Sequence, residues 1–313
     1  MSLFPLIENK AIDVMSLKLF AYGRALDHLP PNEIAMFAHK LSNEGSEGAW
    51  VALEVLFMYC FGDTTGQRWL GVKQLVRNLY LNGNLSLTDE PGRREFHTWE
   101  ECARKLLKDS DDALALTLTK QLIAALASDL RTFELPNGVV RDLLSEYGAI
   151  AWPFFSEALL SRSGATSYRL ANVLGIGFAS RQEDKGGAID LLESEVLVES
   201  IKDNRQLAAV VASMVSLLSN KGGILALTPM TEYLIEAFGN EDAVLGQIAN
   251  NLFTGTWWGS RIPYYKDVAS LFSRYISHPN ANVRHWATRL ELSLNTSIER
   301  DQASEDAHKV GRY

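Results

Sequence analysis

Apolar residues recur every three or four positions along almost the whole chain, and the breaks between them look like helix caps rather than hairpin turns. That spacing sets the apolar side chains on one face of successive helices, and no run of alternating β-branched residues competes with it. Over 11–29 the series Leu19, Tyr22, Leu26 and Leu29 marks one face; Pro30 and Pro31 stop it, and Asn32 opens a second helix through Ile34, Phe37, Ala38 and Leu41. From Ser46 to Phe61 the segment is apolar nearly all round, the pattern of a helix buried between others. Further helices are predicted over 67–81 and 109–133, then shorter ones over 139–147, 153–161 and 167–174. Between the first two of these, 82–97 reads as the longest irregular stretch of the first half, and Thr98 with Glu101 fits a capping box. The expected fold class is all-α.

A repeat is the second constraint. Pro229 and Pro263 lie 34 residues apart and each begins an amphipathic helix, a position where the missing N–H of proline would have had no partner. A polar turn follows each helix, Gly239-Asn240 in one case and His278-Pro279-Asn280 in the other. A second helix then carries Val244, Ile248 and Leu252, or Val283, Ala287, Leu290 and Leu294. Asp184-Lys185-Gly186-Gly187-Ala188-Ile189 recurs after 36 residues as Asn220-Lys221-Gly222-Gly223-Ile224-Leu225, and these glycines read as helix C-caps. One helical pair cannot bury its apolar stripe alone, whereas stacked neighbours share a continuous core. The expected architecture is therefore an α-solenoid of stacked antiparallel helical pairs, one repeat domain over 1–296, with a polar tail over 297–313 that extends the last helix for a turn or two and then frays.

The segment His278-Pro279-Asn280-Ala281-Asn282-Val283-Arg284-His285-Trp286-Ala287 resembles the turn and second helix of a HEAT-like, armadillo-type repeat: a polar Pro/Asn turn, then Val-Arg, then Ala three residues later. The wider block from Phe238 to Leu294 contains Asn251, Trp258-Gly259-Ser260 and Pro263-Tyr264-Tyr265. It resembles the C-terminal repeat regions of bacterial multidomain ATPase and effector proteins, some of them linked to phage defence. The resemblance covers about a fifth of the chain. It implies a HEAT-like superhelix serving as a scaffold or sensor module in a bacterial defence or regulatory system.

No catalytic constellation accompanies these helices. The six histidines form no His-Glu-x-x-His pair and none sits at ligand spacing from Cys60 or Cys102, so neither a metal nor any other cofactor is expected. Asp109, Asp111 and Asp112 stand at the start of a helix, where carboxylates suit the macrodipole. A non-enzymatic, cytoplasmic protein that binds another protein is the expectation. No segment offers the roughly 20 apolar residues a bilayer span requires, and no membrane partner is expected.

Two surfaces are candidates. Trp257, Trp258, Arg261, Tyr264 and Tyr265 are residue types that dominate protein-binding hot spots, although one of the paired tryptophans is expected to seal the core at the turn. The alternative is nucleic acid. Between Arg68 and Lys108 eight basic residues face five acidic ones, with Trp69, Tyr80, Phe96 and Trp99 interleaved, and Arg68, Lys73, Arg77, Arg93 and Arg94 are the phosphate-contacting candidates. A net charge of −8 and an isoelectric point near 5.4 disfavour that partner.

Overall fold

In a computed structural model of the chain, the structure describes residues 26–83, 85–89, 93–109, 111–128, 137–161, 164–175, 186–253 and 259–310. Among the described residues there are fourteen helices, three 3-10 turns and one two-stranded β-hairpin. All-α is the fold class. The chain divides into two compact units, 1–158 and 159–313, where one domain over 1–296 is the sequence expectation.

The first unit holds α1 (Pro31–Ser42), α2 (Ser46–Cys60), α3 (Gln67–Leu81), α4 (Arg93–Leu107), α5 (Asp112–Ala127), α6 (Asn137–Glu146) and α7 (Gly148–Leu159, whose last residue opens the second unit). Their ends follow local chemistry. Pro31 occupies the first turn of α1; Gly66, with φ of 72°, turns the chain into α3; and the Asp111 carboxylate accepts the Leu114 N–H to cap α5. Helix α2 is apolar nearly all round and buries Ala49 through Val55 without interruption. Consecutive helices pack, and so do alternate ones: α1 on α3, α3 on α5, α2 on α4 and α4 on α6. Each hairpin thus lies against the next. Trp99, Tyr80, Leu53 and Leu56 are fully buried in this core, and each such side chain stabilises it by about 1.5–3 kcal/mol.

In the second unit come α8 (Gly164–Leu174), α9 (Ser194–Ile201), α10 (Arg205–Met214), the strands β1 (Leu218–Lys221) and β2 (Ile224–Leu227), then α11 (Pro229–Ala237), α12 (Asp242–Phe253), α13 (Ile262–Phe272) and α14 (Ala281–Val310). Here too alternate helices pack, α8 on α10, α10 on α12 and α12 on α14. Pro229 and Pro263 both sit in first turns, as their spacing predicts. The turn containing His278 docks on the equivalent turn after α11. Glu236 lies 3.1 Å from His278 Nε2, Asn280 Nδ2 donates to Asn240 Oδ1 at 2.9 Å, and Asn282 Nδ2 donates to Asp242 Oδ1 at 3.2 Å. Gly239 makes this approach possible, since a Cβ there would lie 2.5 Å from Val283 Cγ2 and 2.8 Å from the Ile235 carbonyl oxygen.

Four sequence expectations change. Gly222 and Gly223 are not helix caps: with φ of 63° and 85° they form the two-residue turn of the β1–β2 hairpin. Gly187, by contrast, leads into a 3-10 turn at Ala188–Leu191, so the two Gly-Gly sites are not equivalent in structure. Thr98 does not cap a helix but lies buried inside α4, which already begins at Arg93. The stretch 297–310 is helical as the end of α14 rather than frayed. Asp301 anchors it through an ion pair to Arg261, a contact that apolar periodicity cannot register. The helix predicted over 109–133 spans Asp112–Ala127, and the one predicted over 11–29 lies mostly outside the described residues.

Gly239→Ala should lower the unfolding free energy by about 1–3 kcal/mol through overpacking at the turn. Gly246→Ala, in an open position of α12, should raise it by roughly 0.5–1 kcal/mol through helix propensity. Urea denaturation of the two variants measures both signs.

Candidate functional site

Trp257 and Trp258 lie outside the described residues. The other three members of the aromatic group come together where α13 begins. The Arg261 guanidinium sits 5.9 Å over the Tyr265 ring and its Nε is 3.2 Å from Asp301 on α14. The Tyr264 hydroxyl donates to the Leu252 carbonyl at 3.2 Å, and its ring stands 5.7 Å from that of Tyr265. Tyr265 itself is buried and packs 5.8 Å from Phe253. These residues tie α12, α13 and α14 to one another.

The basic candidates are dispersed over two helices. Arg68, in the first turn of α3, donates to the Tyr59 and Asp27 carbonyls at 2.9 and 3.3 Å and lies 5.1 Å over the Tyr59 ring. Lys73 pairs with Asp109 at 2.7 Å. Arg77, one turn further along α3, grips both carboxylate oxygens of Asp111, one of them at 3.0 Å. Arg93 opens α4, its side chain being outside the described atoms; Arg94 beside it is exposed. Arg104 pairs with Asp142 on α6 at 2.7 Å. Several of these cations are therefore already matched to carboxylates inside the fold.

Asp111 is the most connected of those carboxylates. Besides Arg77 and the α5 cap, its own N–H donates to the Tyr147 hydroxyl at 3.0 Å, and that hydroxyl donates to the Leu107 carbonyl. Helix α3, the link from α4 to α5 and the link after α6 thus meet at one residue. The Arg77 hydrogen bonds and the cap N–H hold the Asp111 carboxyl below the usual carboxylate range. Its partners lie 34 and 36 residues away. The sequence marks Asp111 only as a helix-start acid; the signal for its wider role is a cation about one repeat upstream.

Burial pushes the Cys60 thiol up to about 11, drives the Cys102 thiol higher still, and raises the Tyr80 phenol well above its usual value. Both cysteines are free thiols, and a raised value disfavours the nucleophilic thiolate. Among the described residues no group of three His, Cys, Asp or Glu side chains could hold a metal ion, and no helix is long and apolar enough to cross a membrane. No family model matches the chain, no curated protein matches it, and no solved structure matches it.

Asp111→Ala should lower stability by about 2 kcal/mol at pH 7, the sum of a cap and a charged hydrogen bond. Because the folded-state value is depressed, this contribution is fully present above about pH 4 and is lost as the pH falls through the folded value. Unfolding curves of the variant and the wild type should therefore converge towards pH 2. Native Cys60 and Cys102 should resist a thiol reagent at pH 7.5 and react only as the chain unfolds, a difference a colorimetric thiol assay reads directly.

Proposed function

We propose that the chain is a non-enzymatic α-solenoid of HEAT-like helical pairs that binds another protein as a scaffold or sensor module. Support comes from one observation above the rest: within each unit, alternate helices pack on one another. Contacts between hairpins accompany that packing at sequence separations of 34 to 42 residues, in Arg77 with Asp111, Arg104 with Asp142, Asn280 with Asn240 and Arg274 with Glu232. A two-helix unit that leans on its neighbour at every step is what a helical repeat requires. Such stacks present extended surfaces whose residues are fixed by rigid elements, a use suited to docking proteins.

Nucleic acid fits less well. A phosphate track needs many uncommitted cations, since each neutralised phosphate contributes separately to affinity. Arg68, Lys73 and Arg77 are engaged with carbonyls and carboxylates of the chain itself. The resemblance to bacterial defence-type repeat arms adds a context for the role, with a protein as the partner.

The test is reconstitution. A partner captured by crosslinking in the native host should re-form a stoichiometric complex from purified components, measured by light scattering after gel filtration. The same chain should leave a labelled duplex and a labelled single strand unshifted at 50 mM salt. Shifts of either nucleic acid at low salt, with no reconstituted protein complex, would contradict the scaffold role.

A further inference from the structure

The outer face of α4 carries Arg94, His97, Glu101 and Lys105, three or four residues apart and so on one stripe of the helix, and Lys108 lies in the turn that follows it. Aromatic rings from two neighbouring helices border that stripe. Phe57, in α2, meets the His97 ring edge-on at 6.4 Å and stands 6.5 Å from Phe61, which is 58% exposed. Two turns further along α4, the Lys105 ammonium lies 5.4 Å over the ring of Trp69 in α3. Both α2 and α3 pack on α4, so the two aromatic groups border the same helix. Neither Lys105 nor Lys108 is ion-paired among the described residues. This differs from Lys73, Arg77 and Arg104, whose charges face carboxylates of the chain.

From this juxtaposition we propose that the α4 stripe with Phe57, Phe61 and Trp69 is a docking surface for an acidic peptide segment bearing an apolar or aromatic anchor. The proposal rests on the protein-binding role above and names the chemistry of the partner. The exposed Phe61 ring, with the half-buried Phe57 and Trp69 rings, supplies the anchor site, and Lys105 and Lys108 supply charge complementary to Asp or Glu beside that anchor. A nucleic-acid strand would also stack on such rings. Two lysines without an ion pair among the described residues, on a chain of net charge −8, give a short cationic track, suited to one or two carboxylates rather than to a row of phosphates.

The probe is a fluorescein-labelled twelve-residue peptide with alternating Asp and Glu around two Leu and one Trp. Its companions are the same peptide with Ser for Leu and Trp, and a labelled oligo-dT of twelve nucleotides. Fluorescence anisotropy with the full chain at 50 mM salt should show binding of the probe, at least tenfold weaker binding of the Ser companion, and weakening of the probe at 300 mM salt. Phe61→Ser and Lys105→Glu should each weaken the probe at least tenfold with unchanged circular dichroism. Leu292→Ser, at a site 67% exposed in the other unit, should not. Probe binding that is absent, or indifferent to both substitutions, overturns the proposal, as does tighter binding of oligo-dT. A reconstituted partner complex that survives both substitutions removes this surface and leaves the scaffold role standing; the absence of any protein complex removes both.

Discussion

The described helices of each unit bury apolar faces against alternate neighbours as well as adjoining ones. Helix α3 must press on both α1 and α5, and α12 on both α10 and α14, before Tyr80, Leu79, Ile248 and Leu252 leave water. Contacts between neighbouring hairpins recur within each unit, and the polar features accompany them. Carboxylates before or within one hairpin receive cations or amides from the adjacent one, as in Arg77 with Asp111 and Asn282 with Asp242. Most of the stabilisation comes from apolar burial. Partly exposed ion pairs contribute about 0–1 kcal/mol each and serve mainly to fix how one hairpin lies on the next.

Helix positions were legible because they depend on residues close in sequence. The series Leu70, Leu75, Val76 and Leu79 predicts 67–81, and α3 spans Gln67–Leu81. Prolines 229 and 263 mark two helix starts, and Ser46 a third. What escaped is of two kinds. The Gly222-Gly223 turn carries a hairpin dipeptide, yet its likeness to Gly186-Gly187 favoured a capping role; only backbone angles separate the two. The partners of Lys73, Arg77 and Arg261 lie between 34 and 40 positions away, and no local pattern announces them.

The same distinction governs the candidate surfaces. Residue type alone drew attention to Arg68, Arg77, Arg261, Tyr264 and Tyr265, and in the fold each is engaged by neighbouring groups. A sequence cannot say which arginines are already matched to carboxylates. Phe57 and Phe61 have the opposite history. They belong to an apolar segment that reads as fully buried, yet the end of α2 is partly exposed and brings the Phe57 ring against His97 of α4.

Residue-resolved hydrogen exchange under native conditions tests the nearest-neighbour core most directly. If the hairpins depend on one another in series, opening free energies within a unit should form a graded order, lowest at the terminal hairpins and rising helix by helix towards the middle. One common opening free energy shared by all helices of a unit would reveal a single undivided core and contradict the account.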